Sequence, residues 1–190
     1  DTVWFQVAGT LCNLRCHHCF ISCGPTNRSH DIMSRESIRG YLRESEEMGV
    51  RDFYFTGGEP FLHRELVDIL GDTLQVGPAS VLTNGTLITP EHARSLAALE
   101  RASRYALELR VSLDGLTPEM NDPIRGEGTF EETVRGLRVL ADAGFLPIVT
   151  VAQTWGDAED AALREEFHSF LRAEGMRRPR VKILPLFRIG

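Results

Sequence analysis

The segment Cys12-Asn13-Leu14-Arg15-Cys16-His17-His18-Cys19 places three cysteines in the spacing C-x3-C-x2-C, directly after the first apolar run of the chain. Three closely spaced thiolates are typical of a site for a soft metal. Three cysteines on a four-iron cluster would leave one iron without a protein ligand, and a small molecule could bind there. A tetrahedral zinc site would need a fourth ligand, which Cys23, His17 or His18 could supply. The motif alone leaves a catalytic cluster and a structural metal site open.

Composition and charge narrow the class of protein. The 190 residues suffice for one domain with a sizeable core. The net charge of −6, without a block of lysines and arginines, predicts that the protein has no nucleic-acid partner. All four cysteines lie within residues 12–23 of an acidic chain that shows no signal peptide and no membrane-spanning apolar run. We therefore expect a cytoplasmic protein with no membrane partner and no disulfide framework.

Six strand-like runs alternate with helical patterns along the chain. The predicted strands are Val3–Val7, Asp52–Thr56, Ala79–Thr83, Ala106–Leu113, Leu146–Ala152 and Val181–Leu186. The predicted helix starts are Ser34, Thr89 followed by Pro90, a capping box of Thr129 with Glu132, and Asp157, and one short helix is expected to end at Gly71. Strands and helices that alternate at a roughly constant spacing predict βαβ units and a parallel sheet.

Two architectures fit this order of elements: a doubly wound open sheet and a whole or partial TIM-like barrel. An open sheet covered by helices on both faces should be apolar on both faces. The fourth run instead alternates apolar residues with Glu108, Arg110 and Ser112, which suits a barrel with a ligand in its lumen. We predict an α/β fold, a partial (β/α)6 TIM-like barrel of parallel strands with an open polar lumen. The predicted lumen residues are Tyr54, Glu108, Arg110, Gln153 and Lys182.

Four unusual segments follow the first four predicted strands, and in a parallel barrel the chemistry lies at the C-terminal ends of the strands. They are the cysteine segment, Thr56-Gly57-Gly58-Glu59-Pro60, Thr83-Asn84-Gly85 and Ser112-Leu113-Asp114-Gly115. They would therefore share one rim of the barrel.

The rim residues can be combined into a site for an α-amino acid. The paired glycines let backbone carbonyls accept hydrogen bonds from an ammonium group, with the charge of Glu59 beside it. Arg125, in the predicted loop 121–126, could bind a carboxylate through two parallel hydrogen bonds, and Ser112 offers a hydroxyl group. Taken singly, the glycines also fit a tight turn, the arginine a solvated loop and Asp114 a structural turn. Taken together, they would hold an amino acid by both ends against an open iron.

On these residues the sequence resembles the radical S-adenosylmethionine (radical SAM) superfamily over nearly the whole chain. It is most similar to the branch of sulfatase-maturating enzymes, SPASM-like peptide maturases and the molybdopterin-precursor cyclase. The resemblance implies that Cys12, Cys16 and Cys19 hold a [4Fe-4S] cluster whose fourth iron chelates the amine and carboxylate of S-adenosylmethionine (SAM). One electron would cleave SAM reductively, and the 5′-deoxyadenosyl radical would abstract hydrogen from a substrate.

The resemblance also implies roles and partners. His18 stands where the family usually has an aromatic residue and would lie near the adenine, above an apolar floor formed by Leu184 or Leu186. Gly57, Gly58, Glu59, Ser112 and Arg125 would contact the rest of SAM, and Cys23 receives no role. The expected partners are a one-electron donor, such as flavodoxin or ferredoxin, and a substrate that is a peptide, a protein side chain or a small molecule.

Two further expectations concern the whole protein. Residues 1–190 would form a radical SAM core domain cut before a C-terminal auxiliary domain of the SPASM or twitch type. The alternative function is a zinc- or cluster-stabilised barrel that serves as a binding or electron-transfer module.

Overall fold

The computed structural model describes residues 1–153 and 160–185. The strands are β1 (Thr2–Gln6), β2 (Asp52–Thr56), β3 (Ala79–Thr83), β4 (Leu107–Ser112), β5 (Ile148–Gln153) and β6 (Arg180–Pro185). The helices are α1 (Arg35–Glu47), α2 (Leu66–Thr73), α3 (Pro90–Ala102), α4 (Pro118–Arg125), α5 (Thr129–Asp142) and α6 (Asp160–Ala173), with a short 3₁₀ turn at Pro60–Leu62. Every predicted strand is confirmed to within two residues at each end, although Leu186 lies outside the described residues.

All six strands are parallel and pair in chain order from β1 to β6. A doubly wound sheet reverses its strand order at a switch point. The sequential order therefore supports the barrel interpretation and not the doubly wound one. Within the described residues β1 and β6 each pair on one side only, so the barrel is partial, as predicted.

Alternate residues of each strand point to opposite faces of the sheet. The face that packs against the helices is apolar, and Phe53, Phe55, Val81, Leu109 and Val111 are fully buried there. Burial of such side chains is the main stabilising contribution to a fold of this size. The opposite face carries the polar side chains of β2, β4 and β6, and these are partly buried or exposed.

Gln153 does not belong to the lumen face. It stands in register with Pro185 and shares the strand phase of Val149 and Val151, which are buried against the helices. The residues of β5 that face the lumen are Thr150 and Ala152. The prediction of Gln153 as a lumen residue is therefore wrong. Lys182 and Leu184 stand in register with those two residues and share their face.

The helix starts were predicted in part. Ser34 accepts a hydrogen bond from the Ser37 backbone at 3.1 Å, and Thr89 accepts one from the His92 backbone at 3.2 Å, so both N-caps are confirmed. Gly71 does not end α2, which continues to Thr73. Asp157 lies outside the described residues.

The predicted capping box of Thr129 with Glu132 is wrong. The N-cap of α5 is Gly128, and the acceptor for its first N–H groups is Asp122, from the preceding helix. Asp122 accepts hydrogen bonds from the backbone N–H groups of Gly128 at 2.7 Å and Phe130 at 2.9 Å. That preceding helix, α4, was predicted as a loop, so Arg125 lies at a helix C-terminus and not in a loop.

None of the helices in the described part of the chain has the length and apolar composition required to cross a lipid bilayer.

Candidate active site

The cysteines lie on the long connection between β1 and α1, at the C-terminal end of β1. Backbone hydrogen bonds pair the start of this connection with its middle: Cys12 N donates to Gly24 O, and Gly24 N donates to Thr10 O, both at 3.2 Å. All four cysteines are free thiols. Backbone N–H groups also point at two of the sulfurs, from Leu14 to Cys12 Sγ at 3.4 Å and from Cys23 to Cys19 Sγ at 3.3 Å.

Burial changes the acidity of these thiols. It raises the pKa of Cys12 to about 11, and it also raises the pKa of Cys16 above its usual value. The thiols of Cys12 and Cys16 are therefore protonated at neutral pH without a metal, and a metal that binds these two thiols must displace protons.

The double-glycine turn packs directly beneath the cysteine connection. Gly58 N donates to Gly9 O at 2.9 Å, and Glu59 N donates to Leu11 O at 3.0 Å. A Cβ atom on Gly58 would lie 1.8 Å from Leu11 O, so no other residue fits at this position. The sequence predicted that these glycines allow a ligand to approach closely. In the structure, Gly58 lies close to the backbone of Leu11 and Cys12. Within the described residues, neither glycine carbonyl accepts a hydrogen bond, so both remain available to an ammonium group.

Glu59 is fully buried, and its carboxylate is turned into the protein. It accepts hydrogen bonds from Thr83 Oγ1 at 2.7 Å, Asn84 N at 2.8 Å and Phe61 N at 3.0 Å. Burial raises the pKa of this carboxyl above its usual value, and the three hydrogen bonds oppose that shift only in part. The placement does not support a contact between this carboxylate and a ligand amine, and instead gives Glu59 the task of joining β2 to the end of β3.

The end of β3 in turn holds the cysteine connection. Asn84 Nδ2 donates to Asn13 Oδ1 at 2.9 Å and lies 3.9 Å from Cys12 Sγ. Asn13 Nδ2 donates to Thr86 Oγ1 at 2.8 Å. The sequence alone indicates no role for Asn13, because only the folded rim brings its amide together with that of Asn84.

Asp114 holds the opposite side of the same connection. Its side chain is fully buried, and Oδ2 lies 2.9 Å from His18 Nε2 and 2.6 Å from Arg125 Nε. Its Oδ1 accepts a hydrogen bond from Ala152 N at 2.7 Å. Burial alone would raise the pKa of Asp114, but the hydrogen bond from His18 and the charge of Arg125 outweigh it and hold that pKa below its usual value.

Backbone contacts reinforce this junction between the cysteine connection and α4. His17 N donates to Ile124 O at 2.9 Å, and the Cys16 thiol lies 3.9 Å from Arg125 O. The junction thus brings His18 and Arg125, two of the predicted SAM contacts, to one carboxylate. Asp114 itself had been interpreted as a structural turn residue, and only its position after β4 could have drawn attention to it.

The remaining predicted contacts lie on the lumen face. Ser112 Oγ lies 3.3 Å from Thr150 Oγ1, and Leu184 is 39% exposed on β6. Deeper in the lumen, Tyr54 Oη accepts a hydrogen bond from Arg110 Nη2 at 3.1 Å, and Arg110 Nε pairs with Glu108 at 2.8 Å. The predicted polar lumen is therefore present and is lined from β2 to β6.

The residues at this rim fit a cluster with an open iron and an amino-acid ligand. Three thiols lie on one connection, and His18 Nδ1 is a buried nitrogen that has no hydrogen-bond partner within the described residues. Arg125 Nε forms an ion pair with Asp114 but no aligned hydrogen bond. In the part of the chain that the structure describes, no group of three His, Cys, Asp or Glu side chains, those of the cysteine connection included, is placed to hold a metal ion.

Comparison with known proteins agrees with this geometry. The family model described as the radical SAM superfamily matches residues 7–168. Mycofactocin maturase MftC of Mycobacterium ulcerans is 36% identical over 174 residues, which cover 87% of this chain and 45% of that protein. A probable GTP 3′,8-cyclase of Methanosarcina mazei is 35% identical over 147 residues, which cover 72% of this chain and 41% of that protein. The chain thus spans less than half the length of these relatives.

Solved structures share the fold. Streptococcus suis SuiB bound to S-adenosylmethionine matches with a TM-score of 0.77 and 17% identity, over 100% of this chain and 41% of SuiB. SuiB has also been solved bound to the precursor peptide SuiA, with a TM-score of 0.71 and 20% identity, over 96% of this chain and 38% of that one. At these identities the likenesses show a shared fold.

Proposed function

This chain belongs to the radical SAM superfamily, and we propose from that premise that it cleaves SAM reductively to start hydrogen abstraction from a peptide substrate. The observation that supports this most directly is the rim itself. Three free thiols lie on one connection, which is held from below by the double-glycine turn and from the side by Asp114.

In this proposal Cys12, Cys16 and Cys19 hold a [4Fe-4S] cluster, and when bound it supplies the electron and the chelating iron for SAM cleavage. The free carbonyls of Gly57 and Gly58 accept hydrogen bonds from the methionyl ammonium group. Arg125 and Ser112 bind the methionyl carboxylate, His18 lies near the adenine and Leu184 packs against it. Glu59 acts through the loops it joins and not through contact with SAM.

The relatives support a peptide as the substrate. The MftC relatives are named as maturases, and SuiB has been solved with a precursor peptide. The match to GTP 3′,8-cyclases leaves a small molecule as the second candidate. The matched relatives are more than twice as long as their aligned parts, which agrees with a core domain that works beside an auxiliary domain. Free thiols at the site also suit the reducing environment of the cytoplasm.

The test begins with anaerobic reconstitution of the purified protein with iron and sulfide. We expect about four irons per chain and release of 5′-deoxyadenosine when SAM and dithionite are present. The Cys19→Ala variant should bind less iron and release no 5′-deoxyadenosine, whereas Cys23→Ala should keep both. Tight binding of one zinc without iron would favour the binding module. A cluster whose EPR signal does not respond to SAM would favour the electron carrier.

A further inference from the structure

Arg15, Phe20, Pro25 and Arg28 are four of the exposed residues on the cysteine connection. We name these four residues the cysteine-loop surface. Phe20 directly follows Cys19 in the chain, and Arg15 directly precedes Cys16. Two of the four residues are therefore direct chain neighbours of a cysteine of the motif.

Phe20 is unusually exposed for its size. At 77% exposure it is the most exposed large hydrophobic side chain in the part of the chain that the structure describes. Aromatic side chains at the centre of a polar surface are typical anchors of protein–protein contacts. A phenylalanine that faces water beside a metal-binding thiol thus suggests a surface that is covered in a complex.

The two arginines flank the same short turn and are held in place. Arg15 Nη2 donates to Thr26 Oγ1 at 2.8 Å, and Arg28 Nη1 donates to the carbonyls of Pro25 at 3.1 Å and Asn27 at 3.0 Å. Within the described residues, neither guanidinium group forms an ion pair. Side chains that are ordered before binding lose less entropy when a partner arrives.

The local charge is opposite to that of the whole chain. The chain has a net charge of −6, yet residues 2–30 contain no Asp or Glu, two arginines and three histidines. The first carboxylate after this segment is the exposed Asp31. On an acidic protein, a positive surface attracts an acidic partner, whereas the rest of the protein repels it. The partner is therefore steered to one orientation.

We propose that the cysteine-loop surface is the docking site for a small acidic protein that carries a low-potential one-electron group. This rests on the proposed function, since cleavage of SAM consumes one electron that must reach the thiol-bound cluster from outside. In the proposed function SAM binds through Gly57, Gly58, Ser112 and Arg125, none of which belongs to the cysteine-loop surface, so this surface remains for the donor. One electron leaves the carrier, which is oxidised, and enters the cluster, which is reduced, without any bond forming or breaking.

The test compares two reductants on the reconstituted holoenzyme. Reduction by flavodoxin hydroquinone needs docking, whereas reduction by dithionite does not. The double variant Arg15→Glu with Arg28→Glu should lower the second-order rate with flavodoxin by about tenfold or more, and the rate should depend less on salt. Phe20→Ala should weaken flavodoxin binding, measured separately with oxidised flavodoxin. Iron content and the rate with dithionite should stay at the wild-type values.

A matched control carries the same charge change elsewhere. Arg94→Glu with Arg101→Glu reverses two exposed arginines on α3, and Met48→Ala removes another exposed apolar side chain. Both should leave the flavodoxin rate within about twofold, because neither touches the cysteine-loop surface.

The proposal is overturned if the control and the cysteine-loop variants slow the reduction by flavodoxin equally, or if neither slows it. It is also overturned if the variants change the oligomeric state while flavodoxin binding is kept, because the surface would then contact a second copy of the chain. Failure of the proposed function would look different. In that case dithionite-reduced wild-type protein would release no 5′-deoxyadenosine, whatever the effect of the variants on flavodoxin.

Discussion

Glu59 and Asp114 are two buried carboxylates that hold the cysteine connection from two sides, and their surroundings differ in charge. Glu59 receives three hydrogen bonds from neutral donors and contacts no cation within the described residues. Asp114 lies within 3 Å of both His18 and Arg125. Burial therefore raises the pKa of Glu59, whereas the hydrogen bond from His18 and the charge of Arg125 lower the pKa of Asp114.

This difference indicates that Glu59 and Asp114 have different roles, which the sequence alone does not distinguish. A buried carboxylate that accepts hydrogen bonds from neutral donors only, such as Glu59, holds two backbone segments together. A buried carboxylate that pairs with an arginine and a histidine also orients those two side chains, which are predicted to contact SAM. We therefore expect substitutions at Glu59 to affect mainly stability, and substitutions at Asp114 to affect stability and SAM binding together.

The largest expected effect follows replacement of Asp114 by alanine. The variant leaves Arg125 as a buried cation without its partner, and loss of one partner of a buried ion pair costs about 3–5 kcal/mol. Urea denaturation should show this loss, and Asp114→Asn should recover part of it by keeping an acceptor for Ala152 N. In the Asn variant, SAM binding should still be weaker than in the wild type. Normal SAM affinity in Asp114→Asn would contradict the orienting role.

A smaller loss is expected for Glu59→Ala. Three buried donors lose their acceptor, but burial also penalises the charged form of this carboxyl group, so the net cost should be about 2–3 kcal/mol. Glu59→Gln keeps the shape and should cost about 1 kcal/mol, because its amide faces one donor. SAM affinity measured on the folded Gln variant should be close to that of the wild type. A loss of affinity comparable to that of Asp114→Asn would remove the distinction between the two carboxylates.

The two carboxylates should also respond to pH in opposite directions. The folded-state pKa of Asp114 is below its usual 3.8, so its contribution to stability is complete above pH 3.8 and is lost as the pH falls through the folded-state pKa. The folded-state pKa of Glu59 is above its usual 4.5, so its contribution decreases as the pH rises from 4.5 through the folded-state pKa. Urea midpoints measured from pH 3 to 8 for the wild type, Asp114→Asn and Glu59→Gln should separate the two trends. Parallel curves for both variants would contradict the assigned directions.

The smallest effect is expected at Asp122, a partly exposed carboxylate that also binds backbone donors. Loss of its cap on α5 by Asp122→Ala should cost about 1 kcal/mol, the usual value of an N-cap. Glu131→Ala, in the first turn of the same helix, serves as the control and should change the unfolding free energy by less. A cost for Asp122→Ala as large as that for Glu59→Ala would show that exposure does not separate these carboxylates.

The fold was accessible from sequence because its signals are local and repeat. The alternation of apolar and polar residues in β2 and β4, together with the regular return of helices, was sufficient to predict six parallel strands in a barrel. The rim position of the cysteines and of Gly57-Gly58 followed from the same rule.

The errors arose where a neighbour in space decides the structure. Thr129 and Glu132 carry a capping-box pattern, but Asp122 of the preceding helix takes the place of the cap. Helix α4 has only eight residues and contains Pro123, so its pattern reads as a loop. The contacts of Asn13 with Asn84, and of His18 with Asp114, span 71 and 96 residues and have no signal in any local segment.

The side chains deep in the lumen connect the two edge strands of the sheet. Trp4 of β1 stacks on Tyr54 at 4.4 Å between ring centroids, and Arg110 lies over the same tyrosine ring. Glu108 joins Arg110 to Arg180, the first residue of β6, at 2.8 and 2.7 Å. Within the described residues these contacts connect β1 to β6 through side chains, although the two edge strands do not pair with each other. The open edge of the partial barrel is therefore bridged by side chains and not by a backbone ladder.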